Sequence, residues 1–199
     1  MTNADDLDFT GRTVLVTGAG TSIGRAVVLE FAARGAWVLI SDTDQTAARA
    51  VEGEVHALDI VARNARSLVL VGDATDPANV EELRRRAEAF ARVDILVSTD
   101  GTWHLAQALV PGMMDGGWGR IVVLGESREA SVTTRSLAAD LGEYGITVNE
   151  IDVGQPEVRG AIGRAARPDE VAFAVACLGS LRSGAITGSV LHVDGGAPR

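Results

Sequence analysis

The chain has 199 residues, of which 46% are hydrophobic, and a formal net charge of −9. This acidity argues against a nucleic-acid partner, because a phosphate backbone would repel the chain. No charge-free run reaches the length of a membrane span, the acidic N-terminus is unlike a secretory signal, and the one cysteine, Cys177, fits a reducing compartment. We therefore expect a cytoplasmic protein that binds neither nucleic acid nor membranes.

Seven apolar runs of strand length recur along the chain. Each is continuous rather than alternating, which is typical of strands that are covered on both faces. The runs are TVLVT (13–17), WVLIS (37–41), SLVLV (67–71), DILVS (94–98), RIVVLG (120–125), ITVNEI (146–151) and SVLHV (189–193).

Helical patterns lie between these runs, with apolar residues at spacings of three and four. The clearest are IGRAVVLEFAARG, NVEELRRRAEAFARV, TRSLAADLGEYG and PDEVAFAVACLGSL. Strands that alternate with helices predict an α/β fold with a Rossmann-type, doubly wound parallel sheet of about seven strands. We find no linker or internal repeat, so we expect a single domain over residues 1–199.

A glycine-rich turn joins the first strand to the first helix in TVLVTGAGTSIGRAVVLEF. Such a turn lets the backbone approach a pyrophosphate, and the N-terminus of the following helix offers unpaired N–H groups. The next strand ends at Asp42, whose carboxylate can accept both hydroxyls of an adenosine ribose and would repel a 2′-phosphate. Glycines alone occur in any tight turn, but together with Asp42 they predict a dinucleotide site that prefers NAD to NADP.

Four segments carry recognisable motifs: TGAGTSIG after the first strand, GDATD after the third, VDILVSTDG around the fourth and GSVLHVDGG near the end. They resemble, in that order, the TGxxxGxG turn, the adenine-contacting segment, the DxLVNNAG element and the C-terminal strand of the short-chain dehydrogenase/reductase family. The resemblance covers nearly the whole chain and implies the parallel-sheet fold. It also implies a cofactor-binding role for Gly18, Ser22, Ile23, Gly24, Asp42, Asp73 and Ala74.

The chain departs from this family in the elements around the reacting half of the cofactor. Ser22 replaces the middle glycine of the turn, where a side chain either hydrogen-bonds the phosphate or obstructs it. The segment Ser98-Thr99-Asp100 replaces the asparagine–asparagine–alanine after the fourth strand, and only residues 102–104 remain of the loop that carries the catalytic asparagine. Glu126 falls at the position of the catalytic serine.

The family's catalytic tyrosine and lysine have no counterpart. The chain contains no lysine, its helix resumes at about Arg128, and its one tyrosine, Tyr144, is predicted to be structural and to lie at the opposite edge of the sheet. The shortened loops follow strands four, five and six, at the edge where ligands bind in open α/β folds. The resemblance thus implies that the family's hydride-transfer residues are absent, and Ser22 leaves open whether dinucleotide binding is weakened or lost.

Asp100, His104 and Glu126 are the candidate catalytic residues in the loops that remain. An acid, an imidazole and a second carboxylate that converge on one crevice could perform proton transfers. Each also has a structural interpretation: Asp100 as a helix cap, His104 as a surface group and Glu126 as the start of the next helix. His56 and His192 are predicted to be structural, and no spacing indicates a metal site.

Three functions from different classes remain open. The sequence ranks first a non-redox enzyme that acts on a small molecule (isomerase, dehydratase or cyclase type). The second is a non-catalytic subunit that binds a nucleotide or a partner, and the third is an atypical NAD-dependent oxidoreductase. We also expect a homo-oligomer, because the resemblance implies pairing through the helices after strands four and five and through the C-terminal segment. AQALVPGMM and SLAADL keep apolar faces, and GSVLHVDGG keeps the C-terminal strand.

Overall fold

Seven parallel strands form one sheet in the computed structural model, which describes residues 7–58, 66–100, 103–125, 128–155 and 160–197. The strands are β1 (Thr13–Val16), β2 (Trp37–Asp42), β3 (Ser67–Val71), β4 (Ile95–Ser98), β5 (Gly119–Leu124), β6 (Ile146–Asp152) and β7 (Val190–His192). Their spatial order is β3-β2-β1-β4-β5-β6-β7, so the direction of winding reverses between β1 and β4. The predicted α/β, doubly wound parallel sheet is confirmed, and each strand begins and ends within one residue of its apolar run.

Six α-helices connect the strands within the described ranges. They are α1 (Ser22–Ala33), α2 (Gln45–Ala57), α3 (Pro77–Phe90), α4 (His104–Asp115), α5 (Arg128–Leu141) and α6 (Pro168–Gly179). The first three begin at side-chain caps, because Thr21, Asp44 and Asp76 each accept a hydrogen bond from an amide in the first turn. The start of α5 at Arg128 is where the sequence predicted that the helix resumes. None of the described helices combines the length and apolar character that a membrane span requires.

The helices cover both faces of the sheet and divide the core into two layers. One layer packs α1, α2 and α6 against one face, with Phe31 and Val175 fully buried. The other packs α3, α4 and α5 against the opposite face, with Leu83 and Met113 at its centre. Because both faces are covered, most strand positions are apolar, with Thr147, Asn149 and Glu150 of β6 as buried polar exceptions.

The amino ends of the strands are closed by arginine–tryptophan contacts. Trp118 lies just before β5, and its ring is 4.0 Å from the guanidinium carbon of Arg12 and 4.4 Å from that of Arg120. Arg120 is buried, and it donates hydrogen bonds to the carbonyls of Gly119, Gly145 and Ser180. Burial, and then the nearby Arg12, lower the pKa of Arg120. This edge is therefore a packed, structural end of the sheet, and the carboxyl edge is the one left open for ligands.

Candidate functional site

The turn after β1 is held in a shape that two of its glycines make possible. Gly18 has a positive φ of 57°, and a Cβ there would lie 2.3 Å from Thr99 Oγ1. Thr21 Oγ1 donates to the Gly18 carbonyl at 2.8 Å and accepts from the Gly24 N–H at 3.1 Å, which caps α1. A Cβ on Gly24 would lie 2.1 Å from the Gly18 oxygen. Gly24 therefore lets the helix pack onto its own turn and aims the first-turn amides at the carboxyl edge.

The residues that replace the family's asparagines still join β4 to β1. Thr99 Oγ1 donates to the Thr17 carbonyl at 2.7 Å, and the Thr99 N–H donates to Thr17 Oγ1 at 3.2 Å. Ser98 Oγ donates to Asp100 Oδ1 at 2.8 Å. The point where the strand order reverses is thus closed by side-chain hydrogen bonds in place of an asparagine pair.

Asp42 lies at the carboxyl end of β2 and contacts the glycine turn directly. Its Oδ2 accepts the Gly20 N–H at 2.7 Å, and its Oδ1 accepts the Asp44 N–H at 2.8 Å. A Cβ on Gly20 would lie 2.6 Å from the Ala47 Cβ, so α2 and the turn approach closely on this side. Each carboxylate oxygen has a second lone pair, which leaves capacity for two further donors.

Asp73 follows β3 and is a second carboxylate near the glycine turn. Its Oδ1 accepts both the Thr75 N–H at 2.8 Å and the Thr75 hydroxyl at 2.6 Å. The hydroxyl bond first, and then the amide bond, lower the pKa of Asp73, so this side chain stays ionised. Gly72 donates its N–H to the Asp42 carbonyl at 3.1 Å, which ties the end of β3 to β2.

These elements surround a cleft of about 250 Å³ at the carboxyl edge. Its lining residues are Thr17, Gly18, Thr21, Ser41, Asp42, Thr43, Gly72, Asp73, Ala74, Thr75 and Asp100. Three of them are carboxylates and none is basic. The buried hydroxyl of Ser41 finds no hydrogen-bond partner among the described residues, although a buried polar atom usually has one.

The structure brings together only part of the residue set suggested by the sequence. Of the predicted cofactor residues, Gly18, Asp42, Asp73 and Ala74 line the cleft. The other three, Ser22, Ile23 and Gly24, form the first turn of α1.

The candidate catalytic residues are spread more widely. Asp100 lines the same cleft, on the side of β4, and His104 is the exposed first residue of α4. Glu126 lies outside the described residues. Among those that are described, no group of histidine, cysteine, aspartate and glutamate side chains is arranged to hold a metal ion.

Tyr144 lies where the sequence predicted, at the edge of the sheet opposite the cleft. It ends a short 3₁₀ helix just before β6 begins, so it is near the amino ends of the strands. The neighbouring Glu143 carboxylate raises the pKa of the Tyr144 phenol. A phenol that exchanges protons near neutral pH needs the opposite shift.

One histidine–carboxylate pair was not foreseen in the sequence. His192 Nδ1 lies 2.9 Å from Asp152 Oδ2, at the carboxyl ends of β7 and β6. His192 lies within an apolar run and was predicted to be structural. Its partner is 40 positions away in the chain, so sequence spacing gives no sign of the pair. By contrast, His56 bonds Ser67 Oγ at 3.0 Å on the surface beside β3.

Comparison with known proteins agrees with this geometry. A family model described as short chain dehydrogenase matches residues 12–102. The chain is 30% identical to the 3-oxoacyl-[acyl-carrier-protein] reductase FabG of Escherichia coli, over 96% of this chain and 98% of the relative. The chain belongs to the short-chain dehydrogenase family. The alignment with FabG spans 248 positions, whereas this chain has 199 residues, so this short-chain dehydrogenase lacks segments that its relative carries.

Solved structures of other short-chain dehydrogenases are also similar. A hydroxysteroid dehydrogenase from Escherichia coli superposes with a TM-score of 0.89 and 27% identity, covering 98% of this chain and all of the other. A 7α-hydroxysteroid dehydrogenase in complex with NADH and 7-oxo glycochenodeoxycholic acid gives a TM-score of 0.87 at 27% identity, covering 99% and 98% of the two chains. These relatives are named as redox enzymes, and none of the names points to an isomerase, dehydratase or cyclase.

Proposed function

We propose that this protein is an atypical NAD-dependent oxidoreductase that acts on a small carbonyl or hydroxyl compound. The observation that carries the proposal is the bonded arrangement of Asp42 and the glycine turn beside the point where the strand order reverses. In open α/β sheets a dinucleotide lies across this point. The relatives named above are reductases and dehydrogenases, so we rank this function ahead of the non-redox enzyme that the sequence alone placed first.

The adenosine half of the cofactor fits the described residues. Asp42 can accept the two ribose hydroxyls with the lone pairs that Gly20 and Asp44 do not use. The unpartnered Ser41 hydroxyl lines the same cleft and would gain a hydrogen-bond partner from a polar ligand. The pyrophosphate would lie over the amides of Ser22 and Ile23, at the positive end of α1.

The cleft favours NAD over NADP on electrostatic grounds. A 2′-phosphate would approach the Asp42 carboxylate, and no lining residue is basic. Asp73 adds a second fixed negative charge to the same cleft. Discrimination against the phosphorylated cofactor therefore comes from repulsion as well as from the ribose hydrogen bonds.

Hydride transfer in this protein would need a proton-exchanging group other than the catalytic tyrosine and lysine of the family. When bound, the nicotinamide ring would give or take the hydride. The chain must then supply a group that exchanges the substrate's proton, and it has no lysine to lower the pKa of a phenol. Tyr144 lies at the other edge of the sheet.

Calorimetric titration with NAD+, NADH and NADP+ tests the binding part of the proposal. We expect saturable binding of NAD+ or NADH and weaker binding of NADP+. Hydride transfer is then followed as loss of NADH absorbance with a 3-oxoacyl thioester and with 7-oxo glycochenodeoxycholic acid, the substrate types that the relatives' names suggest. If neither NAD+ nor NADH binds at millimolar concentration, the proposal is wrong.

We also propose that the protein forms a homo-oligomer. The apolar residues of α4 that the sequence offered for pairing, such as Leu105 and Leu109, are buried in the chain's own core. Apolar side chains are exposed on α6 at Phe173, and in the C-terminal segment, which the sequence also offered for pairing, at Leu181 and Leu191. Exposed apolar residues that cluster on one side of a chain often mark an interface. A monomer by light scattering at micromolar concentration would contradict this proposal.

A further inference from the structure

We propose that His192 is the catalytic acid–base group of this protein and that Asp152 is the residue that positions it; this rests on the proposed oxidoreductase function. The two side chains bond at 2.9 Å, between His192 Nδ1 and Asp152 Oδ2. Both are partly exposed, at 30% and 27%, so a ligand can reach them.

The two strands fix the relative position of the pair. Asp152 and His192 are register partners in the parallel pair of β6 and β7, so their side chains emerge side by side on one face. Asp152 Oδ1 accepts the Gly154 N–H at 2.9 Å, and the Asp152 carbonyl accepts the Val193 N–H at 2.7 Å. The carboxylate is thus anchored by the backbone on one oxygen and presents the other to the imidazole.

The pair faces the layer that contains α5. Along β6, Val148 belongs to the core layer under α3, α4 and α5, and Ile151 belongs to the opposite layer. Side chains alternate along a strand, so Glu150 and Asp152 share the face of Val148. Thr134 of α5 bonds Glu150 at 3.4 Å on this face. A crossover helix runs antiparallel to its strands, so Asp152 lies beyond this contact, toward the N-terminal end of α5.

The strand order places this pair on the side expected for the reacting half of the cofactor. Asp42 and Asp73 follow β2 and β3, on one side of the reversal between β1 and β4. A dinucleotide that binds across the reversal with its adenosine on that side extends its other half toward β4 and β5. The next strand is β6, which ends in Asp152. Asp100 follows β4 and lines the cleft together with Gly18, where the pyrophosphate would bind.

The surroundings of the pair suit a small organic substrate. After β6, residues 161 and 162 run beside residues 195 and 196, which follow β7. The Ala161 N–H donates to the Gly196 carbonyl, and the Ile162 N–H donates to the Gly195 carbonyl. Ile162 is 58% exposed, and its side chain lies beside Gly195, three positions after His192. The other charged side chains on the described parts of the surrounding elements are Glu150 on β6, Arg135 and Asp140 on α5, Arg164 and Arg167 after β6, and Asp194 after β7.

The chemistry is that of a carboxylate-oriented imidazole. Asp152 holds the Nδ1–H and stabilises the imidazolium, which leaves Nε2 to exchange a proton with the substrate. In the reductive direction, a bound reduced nicotinamide would supply the hydride to the substrate's carbonyl carbon, and His192 Nε2 would give a proton to the carbonyl oxygen. The carbonyl π bond would be replaced by one C–H and one O–H bond at the expense of oxidising the cofactor, and the neutral imidazole would take a proton back from water.

The test compares wild type with His192→Gln, His192→Ala and Asp152→Asn, and uses His56→Gln as the matched control. His56 is also a histidine with one side-chain partner, but it lies on the surface beside β3. NADH binding is measured first, and turnover of the 3-oxoacyl thioester and the 7-oxo bile acid second. We expect unchanged NADH affinity in every variant, and a rate at least 100-fold lower in the His192 variants, within the usual range of about 10²–10⁴ for acid–base catalysis.

Two readouts separate a catalytic histidine from a structural one. Added imidazole should restore part of the rate of His192→Ala, because a free imidazole can exchange the substrate's proton in place of the missing side chain. Asp152→Asn should lower the rate without changing NADH affinity, because the imidazolium loses the carboxylate that orients and stabilises it. Thermal unfolding checks that each variant is folded.

The outcomes are distinguishable. If NADH does not bind to wild type, the oxidoreductase function itself is wrong. NADH binding with turnover that is unchanged in folded His192→Gln overturns the role of His192 and leaves the function standing. Cofactor binding without turnover of either substrate also counts against His192 as a catalytic group.

Discussion

Asp42 and Gly20 are joined by a hydrogen bond of 2.7 Å, from the Gly20 N–H to Asp42 Oδ2. The carboxylate at the end of β2 therefore supports the glycine turn before any ligand is bound. In the function proposed above, this one side chain would both shape the turn and present acceptors to a ribose, and its removal should affect both.

Asp42→Ala should weaken NAD binding and reduce the preference over NADP. Hydrogen bonds to a charged group contribute about 1.5–3 kcal/mol each, so we expect the Kd for NAD+ to rise about 10- to 100-fold. NADP+ binding should change less, because the repulsion of its 2′-phosphate is lost as well. Calorimetric titration measures both affinities. Asp140→Ala, which removes the same charge from the exposed face of α5, should leave them unchanged.

Asp100→Asn should tighten dinucleotide binding. Asp100 lines the cleft together with Gly18, so its charge repels a pyrophosphate that binds at the turn. Asparagine keeps an oxygen that can accept the Ser98 hydroxyl bond, so the local structure should be retained. We expect a gain of roughly two- to ten-fold in affinity at low ionic strength, which shrinks as salt screens the charge. Asp115→Asn, at the far end of α4, is the control, and equal gains in both variants would contradict the assignment of Asp100 to the phosphate region.

Gly24→Ala should destabilise the fold, whereas Gly53→Ala should stabilise it. The new Cβ at position 24 would lie 2.1 Å from the Gly18 oxygen and 2.9 Å from the Ala19 Cα, and backbone atoms cannot rotate away. We expect a loss of about 3 kcal/mol or more in the free energy of unfolding. Gly53 is an exposed interior residue of α2 with no atom within 4 Å of the added carbon, so alanine should gain about 0.5–1 kcal/mol. Urea unfolding of the two variants measures the contrast.

The ion pair of Glu170 should make the free energy of unfolding fall as the pH becomes acidic. Its carboxylate bonds the Arg164 guanidinium at 2.7 Å and the Arg167 N–H at 2.8 Å, and these contacts lower its pKa from 4.5 to about 2. Because the folded-state pKa lies below the unfolded-state value, the stabilisation is complete above pH 4.5 and is lost as pH falls toward 2.

Glu170→Gln isolates this contribution. The difference in unfolding free energy between wild type and the variant should be constant above pH 4.5 and should shrink below it. The corresponding difference for Asp140→Asn, on the exposed face of α5, should not show this fall. A difference for Glu170→Gln that persists unchanged down to pH 2 would be evidence against the lowered pKa.

The strands could be predicted from the sequence because burial on both faces makes each of them a continuous apolar run. Helix α2 was less visible, since its buried positions are Ala48, Val51 and Val55 among alanines and polar residues. That Asp42 and Asp73 lie close together could be predicted as well, because they directly follow strands that are adjacent in the sheet.

The other features of the site depend on contacts between distant segments. The pairing of Asp152 with His192 requires that β7 joins the sheet beside β6 in one particular register, and a shift by one residue would turn the imidazole to the other face. The unpartnered Ser41 hydroxyl becomes visible only when the neighbours of β2 are known. Neither feature has a local pattern that could reveal it.

The three tryptophans are divided unequally between the two edges of the sheet. Trp37 begins β2 and packs on Phe90, and Trp118 precedes β5 between Arg12 and Arg120, so both lie at the amino edge. Trp103 follows β4, three positions after Asp100, at the carboxyl edge. The intrinsic fluorescence of the protein therefore contains one reporter beside the ligand edge and two that are remote from it. A change in emission that disappears in Trp103→Phe would consequently identify an event in the cleft, without any added label.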